Sequence, residues 1–409
     1  MVKAPAAVFD VELTGEIPNG GQLPEGVRWV RLLVRLHGHP IGMLDLAATD
    51  LRSIDLRSLI SRDLENEIQA HQARYHTASS ESEACSWRAT LAGDPPAATV
   101  VINSCAASGN LERTIKSALD QDYPRAAVIV VDNRPATSAI PAFLKNRFRK
   151  FEQISYVPAP VPGLGRARNA GLDAATTEIV AFTDDDVVLD PCWLGWLVAG
   201  FRAAEGVACV TGLIVPLELE TDAQVFMEEF SGFAKGFEQR IWDLAGNRLD
   251  DPLYPYTVGL FGSGASAAFR RSPLLALGGF DPHLGIGTPA IGGEDIDIYT
   301  RMVLAGHRIV YQPASILRHL HRREMSAANR QIQGYGAGLT AMLTKHVLAG
   351  RATRGAVLRR IPAGVWYALS PRSPKNARKP KGFTMRQSLL EWAGMAYGPI
   401  GYLRSRLAG

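Results

Sequence analysis

Ile179-Val180-Ala181-Phe182-Thr183-Asp184-Asp185-Asp186 is the stretch on which the reading of this chain turns. Its five-residue apolar start reads as a buried strand, and the strand delivers three adjacent carboxylates to its end. Repulsion among them raises the cost of ionising all three, so a positive partner is expected there, and a divalent metal is the simplest one. In an extended backbone residues two apart point the same way, which puts Asp184 and Asp186 on one side with Asp185 turned away. Hard oxygen ligands of this kind suit Mg²⁺ or Mn²⁺, which keep some waters and take further oxygens from a phosphorylated ligand such as a nucleotide diphosphate. The competing reading is a turn whose aspartates cap a helix beginning near Pro191.

Outward from this stretch the pattern repeats. Thr99-Val100-Val101-Ile102 reads as a strand, a helix carries Leu111, Ile115 and Leu119, and Ala127 to Val131 reads as a second strand ending at Asp132-Asn133. Ile154 to Val157 then leads through a Gly/Pro loop into a helix over about 166–175. Continuous β-branched runs separated by helices predict parallel strands covered on both faces. Asp132 and the triplet thus both fall at carboxyl ends of strands, where open α/β sheets bind ligands.

Residues 1–92 read as a small separate module. Val27 to Val34 and Ile41 to Leu46 form a hairpin around His37-Gly38-His39-Pro40, and a helix follows with Leu64, Ile68, His71 and Tyr75 on one face. His37 and His39 have no acidic or thiol partners at ligand spacing and read as turn residues. Residues 78–98, with Pro95-Pro96, read as a linker. The 409 residues are 46% hydrophobic and 21% charged, the balance of a globular protein rather than a disordered one. Four cysteines, at 85, 105, 192 and 209, show no metal spacing and fit a reducing compartment. With no apolar signal core near Met1 and no run of about 18 apolar residues, the expected location is cytoplasmic.

The net charge of +4 is uneven: from Lys345 onward thirteen Lys/Arg face the single Glu391. Residues 346–409 therefore form a basic segment, interleaved with Trp366, Tyr367, Trp392, Tyr397 and Tyr402. Such a segment suits peripheral contact with an anionic membrane surface at the inner face of the cell membrane. A helical pair packed on the preceding domain is the alternative, and no nucleic-acid module accompanies the charge.

Over residues 97–345 the sequence resembles the inverting glycosyltransferases of family 2. The resemblance rests on an ordered set: Gln121-Asp122-Tyr123-Pro124, Val130-Val131-Asp132-Asn133, Gly163-Leu164-Gly165-Arg166-Ala167-Arg168-Asn169, the triplet, Gly278-Gly279-Phe280-Asp281, Gly293-Glu294-Asp295 and His319-Leu320-His321. It implies the GT-A fold, an α/β class with a mostly parallel sheet flanked by helices, here with a small β-rich module before it and a basic helical tail after it. It also implies a metal-dependent transfer of a sugar from a nucleotide-diphosphate donor to a hydroxyl acceptor, a glycan or a lipid-linked molecule of the cell envelope.

The resemblance implies residue roles as well. Asp132, Arg168, Asp184 and Asp185 would bind the nucleotide sugar, with Arg168 either holding phosphate or ordering the acidic cluster. Asp184, Asp186 and His319 would hold Mn²⁺ or Mg²⁺. Asp295 would be the base that takes the acceptor proton, with Glu294 orienting acceptor hydroxyls. Gly292-Gly293 would let substrate approach before the helix that begins near Glu294, whose core face is Ile296, Tyr299 and Val303. Asp297 and Arg301 read as an i,i+4 surface pair. The Gly259 to Gly264 run lets backbone approach either a ligand or the core. One departure stands out: Asn103-Ser104-Cys105-Ala106 replaces the Pro-Thr-Tyr-Asn common in the family, so the aromatic that stacks on the base is missing. A nucleotidyltransferase and a non-catalytic carbohydrate-binding protein on the same fold are the alternatives.

Overall fold

The computed structural model describes residues 2–408 except 16, 18–22, 52–53, 76–85, 92, 258, 378 and 381. Cys85 and much of the expected linker lie outside the described residues. The amino-terminal sheet has strands β1 (Ala6–Glu12), β2 (Trp29–Leu36) and β3 (His39–Ala47), with β1 parallel and β3 antiparallel to β2. The β2–β3 hairpin is the one the sequence suggests, and its turn residue His37 has a left-handed φ of 53°. Leu64 does not continue a helix; it closes Leu56–Asp63 before a second helix, Glu65–Tyr75, begins.

The main sheet contains β4 (Ala98–Ser104), β5 (Ala126–Asp132), β6 (Ile154–Pro158), β7 (Ile179–Asp184), β8 (Val187–Leu189), β9 (Val207–Pro216), β10 (Arg240–Trp242), β11 (Ala267–Arg270) and β12 (Arg308–His319). Their order is β10-β12-β9-β11-β7-β4-β5-β6, with β8 added on β12. The β6-β5-β4-β7 half is parallel throughout, as is β9 with β12. The antiparallel members β8, β10 and β11 are only three or four residues long. Every residue of β4 and of β9 is buried, because helices cover both faces. Gly109–Leu119 and Trp193–Gly200 cover one face; Leu164–Ala174 and Glu294–Leu304 cover the other. This is the α/β architecture with a mostly parallel sheet that the resemblance implied.

Three expectations are corrected by packing. The amino-terminal module does not stand apart, because β2 has two working faces. Val30, Leu32, Val34 and Leu36 fill the module's own core, while Leu33 enters the core of the main sheet. On that second face Arg31 reaches Glu228 at 3.3 Å and Arg35 reaches Asp190 at 2.7 Å. Within the supposed linker, Trp87–Leu91 is helical, and Trp87, 2% exposed, lies against Tyr123 and Gly195. The boundary placed at 345/346 falls inside the helix Met325–Ala349, which packs along the last helix, Met385–Leu407.

Asp297 shows why that boundary cannot be cut. It forms the expected i,i+4 pair with Arg301 at 2.8 Å, but the side chain is 0% exposed rather than at the surface. Lys345 lies 2.7 Å away and His346 3.3 Å away, both on the Met325–Ala349 helix. Lys345 also reaches Asp281 at 3.0 Å. Burial alone would raise the Asp297 carboxyl, but His346, Lys345 and Arg301 hold it well below the usual carboxylate range.

Losing one member of such a buried set leaves unbalanced charge, so Asp297→Asn is expected to cost about 3 kcal/mol in urea unfolding at pH 7. Because the folded carboxyl is depressed, the unfolded chain takes up the proton first. The contribution is complete above the usual carboxylate range and fades as pH falls below about 4. The difference between parent and variant should therefore shrink between about pH 5 and pH 3; a constant difference would assign the effect to packing alone.

Candidate active site

The carboxyl ends of β4, β5 and β7 and the end of β12 meet at one edge of the sheet. Registers place Asn103 beside Asp184 and Ser104 beside Asp132, while His319, at the end of β12, pairs with Val187 of β8. The two sides of the aspartate turn thereby reach the histidine despite their separation in sequence. Oxygen atoms of Asp184 and Asp186 and a ring nitrogen of His319 lie within 4.8 Å of one another, the one such group among the described residues that could hold a metal ion. His319 Nε2 is 3.4 Å from Asp186.

The electrostatics of this corner suit a cation. Burial raises the Asp184 carboxyl, Arg168 opposes the shift and Asp186 adds to it. Asp186 is likewise raised by burial, with Arg322 opposing from 3.6 Å. Burial pushes His319 down to about 4, so its imidazole is neutral and keeps a lone pair for coordination. Its Nδ1 is buried without a hydrogen-bond partner. Two carboxylates and a neutral imidazole form a fitting donor set for Mn²⁺ or Mg²⁺. Asp185 accepts a hydrogen bond from Ser104; it and Asp186 form a bend between β7 and β8 rather than continuing the strand, so the bend and not strand alternation sets their directions. Burial raises it to about 6 even so. The triplet does not cap the helix Trp193–Gly200; ahead of it Asp190 accepts from the Cys192 amide, and Gln121 accepts from the Leu194 amide in its first turn.

Arg168 is 2% exposed, lying 3.2 Å from Glu294 and 3.7 Å from Asp184. Of the two roles open to it, this geometry matches the ordering of the acidic cluster. Arg166 turns elsewhere and donates to the Pro162 carbonyl. Asn169 fastens the same helix to the Gly278-Gly279-Phe280-Asp281 turn, donating to the Phe280 carbonyl and accepting its amide, both at 2.8 Å. Gly165 is needed for the same contact, since a Cβ there would stand 2.5 Å from the Asp281 carbonyl oxygen.

Glu294 is 5% exposed and is raised to about 7, first by burial and then by the adjacent Asp295, against the pull of Arg168. Asp295 is only partly buried; it accepts from the Gly264 amide at 3.1 Å and from the Ile296 amide at 2.8 Å. Gly264 must be glycine because a Cβ would press into the Arg168 guanidinium, so this glycine run serves the core and the Asp295 contact. The Gly292-Gly293 expectation is also corrected. Gly293 has φ 95°, and what approaches it is the Gly338 backbone of the Met325–Ala349 helix.

Asp132 reaches the same edge but is 0% exposed, accepting from the Arg134 amide at 2.9 Å and from the Tyr156 hydroxyl at 3.0 Å. In this structure its carboxylate braces the turn after β5. Beside it the sequence reading passed over Asn103, 7% exposed, whose amide oxygen and nitrogen have no partner. The strand-end position that singled out Asp132 is the signal that could have found it.

Residues 99–278 match the family described as Glycosyl transferase family 2. The pre-mycofactocin glycosyltransferase of Mycobacterium tuberculosis is 29% identical over 210 residues, which is 50% of this chain and 41% of that protein. The glucosyl-dolichyl phosphate glucuronosyltransferase of Haloferax volcanii is 24% identical over 215 residues, 51% of this chain and 64% of that one. A solved mannosyltransferase from Pyrobaculum calidifontis superposes at a TM-score of 0.47 with 19% identity, covering 78% of this chain and 92% of that chain. Asp132, Arg168 and the aspartate triplet lie within the matched residues, whereas Glu294, Asp295 and His319 lie beyond them; over residues 99–278 this chain is similar to glycosyl transferase family 2.

Proposed function

We propose that the chain transfers a sugar from a nucleotide-diphosphate donor to a hydroxyl acceptor, with inversion at the anomeric carbon. The observation that carries the reading is the convergence of Asp184, Asp186 and His319 on one point, with Asp295 beyond Arg168 on the other side of the cluster. Asp184, Asp186 and His319 would hold Mn²⁺ or Mg²⁺, which would supply charge stabilisation to the leaving diphosphate. Asp185 accepts from the donor's ribose. Arg168 keeps Asp184 and Glu294 at fixed separation, and Asn103 offers its unpartnered amide to the donor.

Asp295 takes the proton from the attacking hydroxyl at its carboxylate, held in place by the Gly264 and Ile296 amides. Inversion by single displacement needs one such base. Glu294, whose carboxyl burial and then Asp295 push upward against Arg168, orients acceptor hydroxyls. The acceptor is a glycan or a lipid-linked molecule. Support for the second comes from the Haloferax volcanii relative, whose name places its acceptor on dolichyl phosphate. The two alternatives separate by product: release of a nucleoside diphosphate marks sugar transfer, pyrophosphate marks nucleotidyl transfer, and neither marks a binding protein.

Asp186→Ala is expected to weaken Mn²⁺ binding, read by electron paramagnetic resonance without donor, by at least about tenfold. Thermal stability should hold or rise, since one repelling carboxylate is gone. Unchanged Mn²⁺ affinity would remove Asp186 from the metal site. Asp295→Asn should lower turnover, in a screen of nucleotide sugars followed by nucleoside diphosphate release, by on the order of 10² to 10⁴ while leaving Mn²⁺ binding intact. Near-parental turnover would transfer the role of base to Glu294.

A further inference from the structure

The last helix, Met385–Leu407, has two unlike sides. Inward, it is held at backbone distance from Met325–Ala349: a Cβ at Gly394 would overlap the Gln333 carbonyl, and one at Gly398 the Thr340 hydroxyl. The helix cannot rotate without losing these contacts, so its outward side is fixed. That side is apolar along its whole length. Met385 is 68% exposed, Leu389 56%, Ile400 51%, Leu403 47% and Leu407 88%, and at 3.6 residues per turn they fall in a single stripe. Exposed Arg386 and Arg404 run along one border of the stripe and exposed Arg406 along the other.

A second exposed apolar surface precedes it. The helix Ile361–Leu369 buries no residue, and Ile361, Val365, Trp366 and Leu369 are each about half exposed, at 49%, 50%, 52% and 52%. Exposed Arg359 and Arg372 flank its two ends. Arg360 fastens this helix to the Tyr254 carbonyl at 3.0 Å, on the loop that continues to Gly264 and so to Asp295.

We infer that these two faces form a docking surface for an anionic lipid bilayer, on which the enzyme lies without crossing it. No helix among the described residues is long and apolar enough to span a membrane, so insertion is limited to the interface. The last helix, about 35 Å long, presents an apolar stripe that enters the acyl boundary while its bordering arginines stay at phosphate level. Trp366 belongs at the same depth, where indole rings settle. The exposed arginines beside the two faces, Arg359, Arg372, Arg386, Arg404 and Arg406, select an anionic surface over a neutral one. The same apolar stripe would also serve a second copy of the chain, but self-pairing would bring Arg386, Arg404 and Arg406 against their own kind. This surface deepens the lipid-linked acceptor reading and rests on it for purpose, whereas its test reads binding and not turnover.

Flotation of the full chain with vesicles decides it. At low salt the parent should float with vesicles of phosphatidylcholine and phosphatidylglycerol, bind pure phosphatidylcholine at least about tenfold more weakly, and lose binding as salt rises. The variant Leu389→Glu/Leu403→Glu changes two exposed positions, so it should keep the parental melting temperature and Mn²⁺ affinity while binding anionic vesicles about tenfold less or worse. Equal binding of parent and variant, equal binding to both vesicle types, or a parent that ignores vesicles and forms a dimer abolished by the variant would each overturn the inference. If turnover fails and vesicle binding holds, the surface stands and the transfer reading falls; the reverse result separates them the other way.

Discussion

A buried guanidinium has to be paired, and in this chain Arg168 is paired with two carboxylates that arrive from distant parts of the sequence. Asp184 comes at the end of β7, Glu294 at the start of a helix 110 residues later. Neither partner can leave without stranding charge at 2% exposure, a cost of several kcal/mol, so the end of β7 and the start of the helix at Glu294 are fixed relative to each other. The glycines around it follow from that placement: Gly264 lets backbone lie on the guanidinium, and Gly165 lets the Arg168 helix sit against the Asp281 turn.

A second buried charge, Asp297, does the same for the body of the helix Glu294–Leu304. Asp297 draws Arg301 from its own helix and Lys345 and His346 from the next, and Lys345 continues to Asp281. Tyr402, on the last helix, donates to Asp281 at 3.2 Å. The carboxy-terminal helices are therefore tied into the frame that aims Glu294 and Asp295. A face presented by those helices is mechanically continuous with the cleft.

Within the cleft, burial and like charge push in one direction, opposed by Arg168 at Glu294, by the Ser104 hydrogen bond at Asp185 and by Asp184 at His319. Glu294 is raised to about 7 and Asp185 to about 6, while His319 is lowered to about 4. Carboxylates that hold protons readily beside an imidazole that does not are what a site looks like when its own cations are too few. The missing charge is of the kind that a divalent metal supplies.

The strand-end aspartates, the parallel β-α pattern, the helix carrying Leu111, Ile115 and Leu119, the helix over about 166–175 and the basic carboxy-terminal segment were all readable from the sequence. Each is written locally, in apolar periodicity, turn residues or a run of charge. The grouping of Asp184 with Asp186 matches the expectation, but a bend after Asp184, and not extended-strand alternation, produces it. The fates of Asp132, Asp297 and the two glycine runs were not readable. A residue's burial depends on which distant element covers it: Tyr156 closes over Asp132, Lys345 and His346 close over Asp297, and the Gly338 backbone takes the space before Gly293. The sequence by itself determined which side chains end up at the rim of the sheet, because that follows from local geometry. Only the tertiary structure decided which of them face the cleft and which are spent holding it together, because long-range contacts, and not spacing, decide which charges share a low-dielectric interior.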